Sequence, residues 1–187
     1  MARAGLDSDA VVEAGARLAD AVGLENVTLA QLASELGVRP PSLYAHVGGL
    51  EDLRRRIGAR GASELASAMA EAGIGRAGGE ALAALAHAYR DYARAHPGSY
   101  AAAQLARELR ADPAAAAAGA QATEVALAVL RGYGLEGEAA VHAARIVRVA
   151  LHGFVTLEVS GGFAIELSLD ETFARVIAAL DAALRAI

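Results

Sequence analysis

Pro40 and Pro41 stand back to back in the stretch GVRPPSLYAHVGGLEDL, residues 37–53, of a chain otherwise rich in helix formers. No other feature limits the fold as tightly. Proline lacks the amide proton and clashes with the preceding turn, so a helix interior excludes it and a first turn accepts it. The pair therefore predicts a helix start, with Gly37–Arg39 as the turn before it. Upstream, Thr28 is a candidate cap for a short helix whose stripe is Leu29, Leu32, Ala33 and Leu36, and Gly37 stops it. Downstream, Leu43 and Val47 share a face before Gly48 and Gly49 break the chain. A first helix is expected from Asp7 or Ser8 to about Val22, with Ser8 as candidate cap, Val11, Ala14, Leu18 and Ala21 as its apolar side, and Gly23 as its end.

The remaining chain continues the helical pattern. A longer helix is expected over about 50–72, anchored on Leu53, Ile57, Leu65 and Met69, and AGIGRAGG at 72–79 is a linker candidate. Further helices are expected at about 80–95, 99–110, 115–132, 137–160 and 170–186. No extended alternation marks a strand, and no internal repeat is found. The expected fold class is all-α with about nine helices: a small N-terminal three-helix unit over 1–55, a connecting fourth helix, and a larger bundle over 73–187.

Composition narrows the function classes. The chain has no cysteine, which removes disulfides and thiolate metal sites and is compatible with the cytoplasm. No histidine pair stands at i, i+4 and no HExxH or G-x-S-x-G occurs, so neither a metal, a cofactor nor a catalytic centre is expected. The stretch Val149–Val159 falls short of the roughly 20 apolar residues of a membrane span, and no signal-peptide pattern opens the chain. The net charge of −5 argues against indiscriminate coating of nucleic acid. Yet five arginines (39, 54, 55, 56 and 60) face only Glu51 and Asp52 between residues 38 and 61, a local excess suited to a phosphate contact.

Two short helices joined by a glycine turn and resting on a third form a helix-turn-helix, in which the second of the pair enters the major groove. With Leu43 and Val47 inward, Pro41, Ser42, Tyr44, Ala45 and His46 face outward. A hydroxyl, a phenol and an imidazole reach phosphates or base edges, while small and ring side chains allow close approach to thymine methyls.

The run VTLAQLASELGVRPPSLYAHVGGLEDL resembles the DNA-binding domain of TetR-family transcriptional regulators, through Thr28, Leu32, Ala33, Leu36, Gly37, Val38, Leu43, Tyr44, His46, Val47 and Leu53. The resemblance implies that Thr28, Tyr44 and His46 meet the DNA backbone and that Pro40, Pro41, Ser42 and Ala45 face bases. Arg39 stands where the family often has a capping serine, and Leu50 where it has a lysine, whose phosphate contact Arg54, Arg55 or Arg56 would have to supply. LHGFVTLEVSGGF at 151–163 is similar to a Trp-His-Gly type of TetR C-terminal region, with Leu151 in place of the tryptophan.

On this resemblance the chain is expected to be a cytoplasmic homodimer that binds double-stranded operator DNA, most simply as a repressor, and releases it on binding a small, largely apolar ligand. The last two helices would pair across a two-fold axis through Leu151, Val155, Val159, Phe173, Ile177 and Leu180. Candidate pocket residues are the scarce polar and aromatic groups of the bundle: His87, Tyr89, Tyr92, Tyr100, Gln104, Tyr133, His152 and Phe154. The rival expectation is a ligand-binding or interaction module that kept the fold and lost DNA affinity.

Overall fold

The computed structural model describes residues 6–105 and 112–187, and among these all regular structure is helical. Nine α-helices are described: α1 Ser8–Val22, α2 Leu29–Leu36, α3 Pro40–Leu43, α4 Leu50–Gly73, α5 Gly78–Ala95, α6 Pro97–Ala103, α7 Pro113–Arg131, α8 Gly137–Val159 and α9 Leu169–Ala186, with a short 3-10 turn at Leu24–Asn26. They form two compact units. One comprises the described residues of Met1–Ser63 and Ala95–Ala118, and the other Glu64–Arg94 and Gly119–Ile187.

Local chemistry sets the starts and stops. Asp7, not Ser8, caps α1: its carboxylate accepts the Ala10 amide at 2.7 Å. Ser8 is the first helical residue, and its hydroxyl instead donates to the His46 carbonyl at 3.3 Å. Thr28 and Gln31 form a reciprocal capping box at α2. That helix ends at Gly37, whose φ of 66° lies in the left-handed region that glycine enters without a Cβ penalty. Pro40 and Pro41 occupy the first turn of α3, as the sequence predicts.

The first unit buries Val11, Ala14, Leu32, Leu43, Val47, Leu53 and Ile57 in one cluster. Ala21 lies outside it, exposed at the end of α1. Ala102 of α6 joins the same cluster, because Gly98 lets α6 press against α1. A Cβ on Gly98 would lie 2.2 Å from the backbone of Ala19, a distance that atoms cannot share. The sequence expectation began this helix at 99; it begins at Pro97 and is described to Ala103, and the expected continuation over 106–110 lies outside the described residues. The glycine-rich 72–79 stretch holds a turn between α4 and α5 inside the second unit and does not divide the two units.

The second unit packs α5, the end of α7, α8 and α9 around Leu82, Leu130, Leu151, Val155, Phe173 and Leu184, all almost fully buried. Helices α7 and α8 are, by length and composition, apolar enough to cross a bilayer, each with a mean hydropathy of 1.2. The expectation considered only the shorter stretch Val149–Val159; the whole helices meet the length and composition of a span, as buried core helices also do. Alanine supplies much of the hydropathy, and it is first a helix former.

Candidate nucleic-acid interface

The outward set of α3 assembles as the sequence predicts. Leu43 and Val47 are buried, while Arg39, Pro40, Pro41, Ser42, Tyr44 and Ala45 are exposed and His46 is half-buried. Tyr44 is the most conspicuous, with 63% of its surface open. The α-helix itself is shorter than expected. It ends at Leu43 and passes into a turn over Tyr44–His46, although the Val47 amide still reaches the Leu43 carbonyl at 2.9 Å. No side chain caps the helix at Arg39, as the missing serine implied. The backbone here is held on both sides: Ser8 of α1 donates to the His46 carbonyl, and the Gly48 amide donates to Asp52 at 2.9 Å.

Thr28 is exposed, but its groups are engaged. Its hydroxyl donates to the Gln31 side chain at 2.7 Å and accepts the Gln31 amide at 3.2 Å, while its own amide donates to Gln31 Oε1 at 3.0 Å. A phosphate arriving at this N-terminus meets an ordered first turn and has to displace the Gln31 side chain to reach the Thr28 amide.

The arginines of α4 are occupied within the protein. Arg54 donates to the carbonyls of Leu24 and Glu25, 3.2 and 3.1 Å away, which leaves it bracing the 3-10 turn before α2. Arg55 pairs with Asp52 and Asp112, and Arg56 reaches Asp52 at 3.0 Å. Burial disfavours the charged Asp52, but the Gly48 amide and the guanidiniums of Arg55 and Arg56 outweigh it and hold the carboxyl below its ordinary range. The lysine-like phosphate contact sought from Arg54, Arg55 or Arg56 is therefore not preformed. The pairs with Asp52 stand at helical spacing in the sequence, whereas the contact with Asp112 could not be read there, because it lies 57 residues from Arg55.

The pocket candidates are divided between the two units. Tyr100 and Gln104 belong to the first unit, where Tyr100 is buried and Gln104 follows the last residue of α6. In the second unit His87 is exposed and sets its ring edge-on to Phe173 at 5.6 Å, and Phe154 lies 4.9 Å from Phe173. Tyr89 and Tyr92 are buried, and the Tyr92 hydroxyl donates to Glu64 at 3.0 Å. Tyr133 donates to Asp181 at 2.5 Å, and burial together with that carboxylate pushes its phenol well above the ordinary tyrosine value. Burial and nearby Arg148 lower the pKa of His152. A cavity of about 10 Å³ lies among Leu82, Leu85, Ala126, Val129, Leu130, Ala144 and Val147, and none of the candidates lines it.

Arg90 was missed by sequence reasoning. It is buried, its guanidinium donates to both carboxylate oxygens of Glu158 at 2.8 and 2.6 Å, and Asp170 stands 2.8 Å away. The rings of Phe154 and Phe173 lie 5.5 and 4.8 Å from its charge centre. The signal was present: Arg90 continues the Leu82, Ala86 stripe of α5 at steps of four, so a charge falls on the buried face.

The interface candidates are largely covered by their own chain. Leu151, Val155 and Phe173 are at most 1% exposed, and Ile177 and Leu180 are buried as well, all within the second unit itself. Side chains already covered by their own chain have no area left to bury against a copy. Val159 remains exposed, and on α8 so do Val141, Ile146, Val149 and Leu157, with Gly153 open beside them.

Residues 11–57 match the family described as bacterial regulatory proteins, tetR family, and residues 82–180 match the tetracyclin repressor-like C-terminal domain. An uncharacterized HTH-type transcriptional regulator of Mycobacterium tuberculosis is 41% identical over 156 residues, 83% of this chain and 72% of that protein. The crystal structure of apo ActR from Streptomyces coelicolor superposes with a TM-score of 0.73 at 23% identity, over 99% of this chain and 97% of that one. A TetR variant from Acinetobacter baumannii AYE, solved in complex with minocycline, superposes with a TM-score of 0.69 at 23% identity, over 96% of each chain. At such identities the structural likenesses speak for the fold alone.

Proposed function

The chain belongs to the TetR family of helix-turn-helix transcriptional regulators, and from that premise we propose that it is a cytoplasmic, homodimeric repressor released from operator DNA by a small, largely apolar ligand. The observation that carries the reading is the surface of α3: a buried Leu43–Val47 seat under an outward Pro40, Pro41, Ser42, Tyr44, Ala45 and His46. Such a surface is built for close approach to a groove, with hydroxyl, phenol and imidazole groups for phosphates and base edges.

Ligand release is supported by kinship of fold with a relative solved in complex with minocycline. Entry of a ligand has to favour a conformation with weaker DNA affinity, and the coupling in such systems is typically about 1–3 kcal/mol. Dimerisation is supported by the exposed apolar residues Ile146, Val149 and Leu157 on α8, since unpartnered patches of this kind mark association surfaces.

A gel shift on the DNA flanking the chain's own gene, with salt titrated, tests the proposal. Specific binding is expected, with a shallow salt dependence, because Arg54, Arg55 and Arg56 are engaged internally and each phosphate neutralised adds about 0.9 to the logarithmic slope. Absence of specific binding at moderate salt would favour the rival reading, a helical ligand-binding module without useful DNA affinity.

A further inference from the structure

The turn that follows the reader helix and the first turn of α7 are connected by one continuous set of polar contacts. Asp112 is buried, and its Oδ1 accepts the amides of Ala114 and Ala115 at 2.9 and 3.1 Å, which makes it the N-cap of α7. Its Oδ2 receives Arg55 of α4. The other guanidinium nitrogen of Arg55 donates to Oδ1 of Asp52, and Oδ2 of Asp52 accepts the Gly48 amide at 2.9 Å. Asp112 thus gives one oxygen to its own helix and one to α4, while Asp52 gives Oδ1 to Arg55 and shares Oδ2 between the Gly48 amide and Arg56. The packing beneath agrees: Ala59, one turn beyond Arg55, and Ala115, one turn into α7, are buried against each other. Two alanines allow the helices to approach closely enough for the ion pair to form.

We infer that Asp112, Arg55 and Asp52 are positioning residues that fix the turn after α3 to the first turn of α7. The final step, from posture of α3 to DNA affinity, rests on the DNA-binding reading above. None of the three needs to touch DNA. Helix α7 continues from this cap to Arg131 and contributes Ala126, Val129 and Leu130 to the small apolar cavity of the second unit. A displacement of α7 along its axis has to stretch or release Arg55, which with Arg56 and the Gly48 amide holds Asp52 in place.

Asp112→Asn is the discriminating variant. Asparagine caps a helix as well as aspartate does, so α7 keeps its first turn while Arg55 loses its ionic partner. Amide exchange at Gly48, followed by NMR, should quicken by about five-fold in this variant, at the low end of typical couplings, with Tm within a few degrees of wild type. Operator affinity should fall by a similar factor. That sign is diagnostic, because removing an acid from a DNA-binding protein strengthens binding by simple electrostatics. Arg55→Gln should produce the same exchange at Gly48, and the double variant no more than either alone. Unchanged exchange at Gly48 in Asp112→Asn, or additive effects in the double variant, overturns the relay. If exchange responds while the wild type binds no specific DNA, the relay stands and the DNA-binding reading falls.

Discussion

In the proposed function Tyr44 and His46 are assigned to DNA phosphates, and both lie in a turn braced by Ser8 and Asp52. Replacing either by alanine should weaken binding to all operator variants by a similar factor, because phosphate contacts carry no sequence information. Replacing Ser42 should instead change which bases are preferred; competition between operator variants separates the two outcomes. His152 yields a prediction about stability. Burial and Arg148 lower its pKa below 6.5, so the folded protein binds the proton less readily than the unfolded chain. The stability this contributes is present above pH 6.5 and is lost as pH falls toward and through the lowered folded value. Thermal unfolding at pH 7.5 and pH 5 should show a larger loss for the wild type than for His152→Gln. Equal losses would remove His152 from the account.

At the scale of elements, the buried Arg90–Glu158 pair fastens α5 to the end of α8, and Asp170 adds a contact from the start of α9. Arg90→Ala leaves the Glu158 carboxylate, 10% exposed, with only the more distant Arg94 at 4.0 Å, and should cost about 3 kcal/mol in urea unfolding, the low end for a broken buried pair. Arg90→Met combined with Glu158→Gln should recover part of that loss. Glycine and proline made the elements legible in the sequence: Pro40 and Pro41 can only open a helix, and Gly37 can only close one cheaply. What stayed hidden depends on distant partners. Asp7 and Ser8 are equally good caps locally, and only the His46 carbonyl draws Ser8 away. The start of α6 depends on how closely Gly98 meets Ala19, 79 residues earlier. Periodicity identified the apolar sides of α8 and α9 but not what covers them, so Leu151, Val155 and Phe173 looked available to a second chain when their own chain already buries them.

For the whole molecule, the account requires two copies, because a palindrome is read by two recognition helices about one DNA turn, roughly 34–36 Å, apart. The exposed Ile146, Val149 and Leu157 of α8 are the surface proposed to join them. Val149→Arg places an unpaired charge there and should give monomers by light scattering at micromolar concentration, with the helical circular dichroism of the wild type retained. Val155→Arg, at a fully buried position, should unfold the second unit instead. The central claim is sequence-specific recognition by the Tyr44-bearing surface, and selection from randomised duplex DNA at moderate salt tests it most directly. The account predicts enrichment of one two-fold symmetric motif with half-sites about one turn apart, bound by the wild type and lost together with Tyr44 and His46. Recovery of no enriched sequence by a folded, dimeric protein would contradict it.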